Sequence, residues 1–265
     1  MPVTVNLTER VRGDLPLYDL ATAHAFGVDA VLTGRRGGVS AAPYATLNLG
    51  DHVGDDATSV DENRRRVATA MNVESAQLVT ASQVHGAVVN DVDEWRGEPL
   101  VGDALVTTRE DVALGVLVAD CVPMLFVETG SPRFAVAHAG WRGLVAGVIP
   151  STLAHFATAR DVVVVLGPHI SPASYQVGPD VADHFEAIAG ACHEDVGDRR
   201  RLDLSAIALH QLIQGGVLAE HVTLCSPSTD DGATFFSDRA QRPCGRFGLV
   251  ARRRSYDSRV QEGTK

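Results

Sequence analysis

The chain has 265 residues and a mass of 28.1 kDa, a length that allows one large domain or two small ones. Its net charge of −10 at pH 7 excludes the basic surface expected of a nucleic-acid-binding protein. The only lysine is Lys265, which excludes Schiff-base and P-loop chemistry, since both need a lysine at the site. Any anion must then be bound by arginine, histidine, backbone amides or a metal.

The N-terminus, the apolar stretches and the cysteines bear on the cellular compartment. The first 14 residues lack the apolar core of a signal peptide. The longest apolar stretch, 112–127, is interrupted by Asp120 and is too short to span a membrane. The cysteines form no Cys-x-x-Cys pair, unlike those of a secreted disulfide scaffold; they are Cys121, Cys192, Cys225 and Cys244. We expect a cytoplasmic monomer with reduced thiols and no membrane or nucleic-acid partner.

Strand-like runs outnumber helical patterns by more than two to one. The predicted strands are Ala30–Thr33, Gln77–Ala81, Ala87–Val92, Ala104–Thr107, Val112–Ala119, Pro123–Val127, Phe134–Ala137, Val162–Leu166, Val222–Cys225, Thr234–Ser237 and Phe247–Ala251. The predicted helices are Ser59–Met71, which opens with a capping box, and Leu144–Ala159, Pro179–Ala189 and Leu204–Gln214. Several strands follow one another directly, and this favours mixed sheets with helices packed outside them, in one domain of residues 1–265.

Three polar segments interrupt the apolar stretches that are predicted to form strands, and each lies where a strand is predicted to end. They are Gln83–Gly86, Ala119–Pro123 and Ala137–Gly143, and they contain His85, Cys121 and His138. Two imidazoles and a thiolate suit zinc, with a fourth position left for water or substrate. The separations of these residues along the chain are too long for a zinc finger, so only the fold could bring them together. From spacing alone, a core cysteine and structural histidines remain the alternative.

Arginine combined with glycine marks two further loops. Arg35 lies in the loop 33–40 and Arg142 in the segment 140–143, and either guanidinium could bind an anion. Tight turns with solvated arginines are the alternative. The sequence contains no H-E-x-x-H, G-x-S-x-G, G-x-G-x-x-G or Walker motif, so the common hydrolase and dinucleotide-binding classes are disfavoured.

The order of these segments resembles the YfiH-like family, whose members are described both as multicopper polyphenol oxidases of the laccase-domain type and as purine nucleoside phosphorylases. The resemblance runs from about residue 31 to residue 252. Its central elements are, in order, Gln83-Val84-His85-Gly86, Asp103-Ala104-Leu105-Val106-Thr107, Ala119-Asp120-Cys121-Val122-Pro123 and His138-Ala139-Gly140-Trp141-Arg142-Gly143, of which the last two, following the first, are the most specific. The stretch Phe236-Ser237-Asp238-Arg239-Ala240 departs from the family's Phe-Ser-Tyr-Arg-Arg, which weakens any inference about substrate specificity that depends on it.

The resemblance implies a fold, a metal and an activity. The fold is a single α/β (α+β) domain, an α-β-β-α sandwich with two mixed sheets between helices. His85, Cys121 and His138 would be the ligands of a catalytic zinc ion, with copper as the alternative metal. The activity is phosphorolysis of adenosine, inosine, guanosine and methylthioadenosine, with deamination of adenosine as a second activity. Gln83, Arg35 and Arg142 are the predicted substrate-binding residues.

Three other functions remain open from the sequence. Copper-dependent oxidation of phenols is the alternative within the family, but the chain lacks the M-x-x-H and H-x-H clusters of multicopper oxidases. Amide hydrolysis in the editing of peptidoglycan precursors would use the same zinc. A non-catalytic zinc-binding module is the alternative from a different class. Zinc content together with phosphate-dependent turnover distinguishes these hypotheses.

Overall fold

The computed structural model describes residues 1–254, and the single lysine at position 265 lies outside that range. The strands are β1 (Val3–Asn6), β2 (Thr8–Arg12), β3 (Leu15–Asp19), β4 (Val28–Thr33), β5 (Leu78–Val79), β6 (Val89–Asp91), β7 (Ala104–Thr107), β8 (Ala113–Val118), β9 (Val122–Glu128), β10 (Phe134–Ala139), β11 (Val162–Leu166), β12 (Gln176–Val177), β13 (Cys192–Glu194), β14 (Arg200–Leu202), β15 (Val222–Ser226) and β16 (Phe247–Arg253). The α-helices are α1 (Ala21–His24), α2 (Ala57–Ala70), α3 (Trp141–Ala146), α4 (Val148–Leu153), α5 (Pro179–Ala182) and α6 (Leu204–Gln214).

Two large mixed sheets contain most of these strands. The seven-stranded sheet has the order β1-β15-β11-β9-β10-β7-β6, antiparallel in its centre and parallel toward both edges. The six-stranded sheet has the order β2-β3-β4-β16-β8-β5 and is antiparallel except for the pair β5 and β8. A third, small antiparallel sheet has the order β12-β14-β13.

The two large sheets pack face to face and helices cover their outer faces. One apolar cluster lies between the sheets and draws on β4, β8 and β16 from one side and β9, β10 and β11 from the other. Residues of α4 and α6 pack on the outer face of the seven-stranded sheet, and Val67 of α2 packs on that of the six-stranded sheet. The burial of these apolar faces drives the layering. The predicted α-β-β-α sandwich is confirmed.

The central strands are apolar on both faces because both faces are covered. Every residue of β9 and β10 is buried, as the continuous Val/Leu/Ala runs predict. The strands Ala104–Thr107 and Val162–Leu166 have the bounds predicted from the sequence. Strands β1, β2 and β3 escaped prediction. β1 and β2 are largely exposed, so they lack the continuous apolar runs that marked the buried strands.

Two predicted helices are shorter than expected. The predicted helix 144–159 is instead two short helices, because Gly147 adopts a left-handed conformation with φ of 88° and Pro150 lacks an amide hydrogen. The predicted helix 179–189 ends as an α-helix at Ala182. Beyond that point the amides of Phe185 and Ile188 bond to carbonyls three residues back, which is turn geometry.

The predicted strand Thr234–Ser237 is wrong. This segment is irregular, and only one backbone bond, from the amide of Arg35 to the carbonyl of Thr234, ties it to the neighbouring loop. Phe235 and Phe236 are both fully buried. Two consecutive buried side chains do not fit the alternation of a strand with one covered face, so packing of the rings decides the conformation.

Among residues 1–254, no helix is long and apolar enough to cross a membrane.

The helix α2 begins one turn earlier than the capping-box pattern predicts. Its N-cap is Asp56, whose carboxylate accepts the amide of Ser59 at 2.8 Å. We expect Asp56→Ala to lower the free energy of unfolding by about 1 kcal/mol in urea denaturation. Ser59→Ala, the matched control, should change stability by much less. A larger loss for Ser59→Ala would contradict this assignment of the N-cap.

Candidate metal centre

Three side chains from separate segments converge at the end of the central strands. The potential ligand atoms of His85, Cys121 and His138 all lie within 4.8 Å of one another. The two imidazole rings meet edge to face, with centroids 4.7 Å apart. His138 is buried, Cys121 is half-buried and His85 is exposed, so the cluster is open to solvent on the His85 side. The fold thus brings together the three residues that the sequence singled out.

Strand register explains why Cys121 and His138 meet. In the antiparallel pair of β9 and β10, Ala139 lies opposite Val122. Cys121, just before β9, therefore faces Gly140, just after β10. A Cβ atom on Gly140 would lie 2.7 Å from Sγ of Cys121 and 3.2 Å from Cδ2 of His85. Glycine at position 140 therefore leaves room for the Cys121 sulfur and the His85 ring.

Asp103 holds two parts of the cluster with one carboxylate. Its Oδ1 accepts the amide of His85 at 2.9 Å, and its Oδ2 accepts the amide of Gly86 at 2.7 Å. Oδ1 also lies 2.9 Å from Nδ1 of His138. His85 has a positive φ of 58°, a conformation that is uncommon for a residue other than glycine. The hydrogen bonds to Asp103 stabilise this turn.

The Asp103 contact decides which nitrogen of His138 is available. Because Nδ1 faces the carboxylate, Nε2 is the nitrogen left for a metal, as in carboxylate–histidine–metal arrangements. The Asp103 side chain has no exposed surface. Burial would raise the pKa of this carboxyl, but the hydrogen bonds from His138 and from the backbone amides lower it. Asp103 therefore stays an anion beside the imidazole.

Cys121 and His138 form a charged pair. Burial would raise the pKa of the Cys121 thiol, but the charge and hydrogen bonds of the two histidines lower it to about 6. Burial would lower the pKa of His138, but the thiolate and Asp103 raise it to about 9. The deprotonated sulfur is the form that binds metals.

Asp120 fixes the turn that precedes Cys121. Its φ is 86°, and its carboxylate accepts the hydroxyl of Thr229 at 2.6 Å and the amide of Arg239 at 2.7 Å. Both carboxylate oxygens are therefore used to attach the C-terminal segment to the turn before Cys121. Arg239 is thereby brought next to the cluster.

Two of the predicted substrate-binding residues make contacts within the protein. The side-chain amide of Gln83 donates to the carbonyl of Leu117 at 2.7 Å and accepts the amide of Leu117 at 2.8 Å. It thereby ties the His85 loop to β8. The guanidinium of Arg35 donates to the carbonyls of Ala45 and Gly232 and lies 4.7 Å from the ring centroid of Phe236.

Arg142, the third predicted substrate-binding residue, is exposed and stacks on Trp141. Its guanidinium carbon lies 4.3 Å from the centroid of the Trp141 ring, and that ring also packs against His184 at 6.1 Å. Arg142 forms no ion pair with a residue in the range 1–254. It lies in the first turn of α3, four residues after His138 in the chain.

Sequence reasoning missed Asp103 as a residue of the site, and it did not predict that Tyr175 and Arg239 lie near the turn of Asp120. Asp103 is the carboxylate directly before an apolar strand, and that isolated charge was the available signal. Tyr175 and Arg239 carried no spacing signal, because they are distant in sequence from the cluster. The guanidinium carbon of Arg239 lies 5.3 Å from the ring centroid of Tyr175.

The comparisons with known proteins agree with this architecture. Residues 29–254 match the family model described as multi-copper polyphenol oxidoreductase laccase. A purine nucleoside phosphorylase of Pseudomonas aeruginosa is 39% identical over 230 residues, which cover 84% of this chain and 92% of that protein. The purine nucleoside phosphorylase YfiH of Escherichia coli is 38% identical over 229 residues, covering 83% and 92%.

Solved structures extend the similarity to the fold. YlmD from Geobacillus stearothermophilus has a TM-score of 0.85 and 32% identity, covering 94% of this chain and 99% of that one. YfiH of Bacillus licheniformis has a TM-score of 0.85 and 26% identity, covering 92% and 98%. The chain therefore belongs to the multi-copper polyphenol oxidoreductase laccase family, among relatives named purine nucleoside phosphorylase. The resemblance found in the sequence is confirmed, and the family implies metal binding.

The role of Asp103 leads to a prediction about metal affinity. Asp103→Asn keeps the size of the side chain but removes the charge beside His138 and one acceptor of the His85 loop. We expect the affinity for zinc to fall about 10- to 100-fold, measured by competition with a chromophoric chelator. Asp91→Asn, an exposed carboxylate on β6, is the control and should bind zinc as the unaltered protein does. Equal affinities in two folded variants would refute the role given to Asp103.

Proposed function

We propose that the protein is a zinc-dependent purine nucleoside phosphorylase. It would cleave the glycosidic bond of adenosine, inosine, guanosine or methylthioadenosine with phosphate, giving the free base and the sugar 1-phosphate. The observation that carries the proposal is the convergence of His85, Cys121 and His138 in a chain whose relatives are named purine nucleoside phosphorylase.

The donor set fits zinc. Two imidazoles and a thiolate are characteristic zinc ligands, and three protein ligands leave one position open, as in catalytic zinc sites. The space kept free by Gly140 supports the same assignment. A zinc ion held there supplies a Lewis acid that polarises a substrate oxygen or a water molecule.

Copper-dependent oxidation of phenols is the second candidate, because the family description names it. A site of two histidines and one cysteine would suit copper as well. Among residues 1–254, however, this is the only group of three or more such side chains arranged to hold a metal. A multicopper enzyme needs further copper sites, so we favour zinc.

The protein's own residues would position the reactants. Asp103 keeps His138 and the His85 loop in place, and Gln83 and Asp120 secure the neighbouring turns. Arg142, exposed and without a carboxylate partner in the range 1–254, would orient phosphate against the positive charge that develops on the ribose. A well-placed group of this kind lowers a barrier by ~3–4 kcal/mol. Arg35 supports the loop around residue 232 through its hydrogen bonds.

Deamination of adenosine would be a second activity of the same centre. The open position of a three-ligand zinc site supports it, since hydrolytic zinc enzymes use such a position to bring water to the substrate. The product, inosine, separates from adenine in the same chromatogram, so one assay measures both reactions.

The test is incubation of zinc-loaded protein with adenosine, with and without phosphate, followed by chromatography of adenine, inosine and ribose 1-phosphate. We expect adenine release that depends on phosphate and is lost in Cys121→Ala, because that variant lacks the thiolate ligand. Cys192→Ser, on β13, is the matched control and should retain activity.

Each other outcome favours a different function. Release of neither adenine nor inosine contradicts the nucleoside reaction and favours amide hydrolysis of cell-wall precursors or a non-catalytic zinc module. Turnover of phenols only after copper loading favours the oxidase. Full phosphorolysis by Cys121→Ala would show that the reaction takes place elsewhere.

A further inference from the structure

The turn that carries Cys121 is held on its two sides by different parts of the fold. On the C-terminal side, Val122 pairs with Ala139 in the register of β9 and β10. On the N-terminal side lies Asp120, which is outside any strand and has a positive φ of 86°. Aspartate adopts this conformation more readily than most residues, but it persists only where the surrounding structure holds it. The position of Cys121 therefore depends on the contacts of Asp120.

Each of the three oxygen atoms of Asp120 accepts a hydrogen bond from a segment that is distant in the sequence. The backbone carbonyl accepts the amide of Ile170 at 3.0 Å. Oδ1 accepts the hydroxyl of Thr229 at 2.6 Å, and Oδ2 accepts the amide of Arg239 at 2.7 Å. Asp120 is buried, so loss of one of these donors would leave an acceptor without a partner and weaken the turn.

The two donors from the C-terminal segment are themselves fixed in place. Thr229 is fully buried; its amide donates to the carbonyl of His169 at 3.0 Å, and its carbonyl accepts the amide of Gly232 at 3.0 Å. The guanidinium of Arg239 donates to the carbonyl of Gln176 at 3.1 and 3.2 Å. The segment 229–239 therefore presents its hydroxyl and its amide in a set geometry to the turn before Cys121.

We infer that Asp120 and Thr229 are positioning residues of the metal centre: through their hydrogen bond, the segment 229–239 holds Cys121 where its sulfur can bind a metal together with the two histidines. Neither residue is a ligand, and groups of this outer kind orient a ligand and raise the affinity for the metal. Because coupling between two sites is reciprocal, a bound metal in turn stabilises the segment 229–239. The inference rests on the zinc site of the function proposed above, and not on the reaction.

Two variants remove parts of this link, and one matched control removes a similar bond elsewhere. Thr229→Val keeps the shape of the side chain and removes the hydroxyl. Asp120→Asn keeps a residue that tolerates a positive φ but replaces one oxygen by an amide group that cannot accept a hydrogen bond. The control is Thr107→Val, because Thr107 is also fully buried and its hydroxyl also donates to a carboxylate, Oδ1 of Asp93, at 2.7 Å. Thr107 lies at the end of β7 that is far from Asp103.

The experiment measures the metal site and the turn separately. The affinity for zinc is measured by competition with a chromophoric chelator, and the cobalt-loaded protein is examined for the near-ultraviolet charge-transfer band of a cobalt–thiolate bond. Hydrogen exchange, measured by mass spectrometry, follows residues 119–123 and 229–239 in the metal-free and the zinc-loaded protein. Thermal unfolding verifies the fold of each variant.

We expect Asp120→Asn to lower the affinity for zinc about 10- to 100-fold and Thr229→Val to lower it about 10-fold, and both should weaken the cobalt–thiolate band. Thr107→Val should lose thermal stability but keep the affinity and the band. In the metal-free protein, Thr229→Val should speed exchange at residues 119–123 about 10-fold, as for the loss of a hydrogen bond to a charged group. In the unaltered protein, zinc should slow exchange of the Arg239 amide about 5-fold or more.

The outcomes separate this inference from the proposed function. Unchanged zinc affinity and an unchanged cobalt band in folded Thr229→Val and Asp120→Asn overturn the positioning role and leave the function standing. Equal losses of affinity in Thr107→Val and Thr229→Val also overturn it, because the effect would then be a general loss of stability. If the unaltered protein does not bind zinc through Cys121, the zinc-dependent function is overturned. Exchange at residues 119–123 of the metal-free protein then decides the inference: faster exchange in Thr229→Val supports it, and unchanged exchange overturns it.

Discussion

The arrangement of the site depends on one buried carboxylate. Asp103 lies directly before the buried strand β7, and the cost of burying its charge is offset by hydrogen bonds from three backbone amides and from His138. The same oxygen contacts the loop of His85 and the ring of His138. Without it, the positive φ of His85 and the orientation of the imidazole would each lose support. The buried charge of Asp103 therefore holds the His85 loop next to His138 at the end of β10.

The sandwich supplies the rest of the geometry. β9 and β10 are buried on both faces, so their register is strongly constrained. That register places Cys121 opposite Gly140, and β7 beside β10 places Asp103 beside His138. Cys121 and His138 thus come from rigid strand ends, while His85 comes from a loop that Asp103 holds in place.

The sequence predicted the layers and the cluster to different extents and for different reasons. Continuous apolar runs predicted β7 and β11 to the residue, because burial on both faces leaves a clear pattern. The His85, Cys121 and His138 group followed from motifs, but its convergence depends on strand order, which no local pattern encodes. The helix broken at Gly147 and the irregular segment 234–237 were mispredicted, because local preference there is overridden by a left-handed glycine and by packing of two phenylalanines. Arg35 was predicted from its arginine–glycine loop and Gln83 from its position beside His85, and only the fold shows that their side chains bond within the protein.

The central claim is that His85, Cys121 and His138 together bind zinc. X-ray absorption at the zinc edge of the metal-loaded protein tests it most directly. The account predicts one sulfur at about 2.3 Å and two imidazole nitrogens at about 2.0–2.1 Å, with the sulfur lost in Cys121→Ala. A first shell made only of nitrogen and oxygen, or a sulfur that persists in Cys121→Ala, would contradict it.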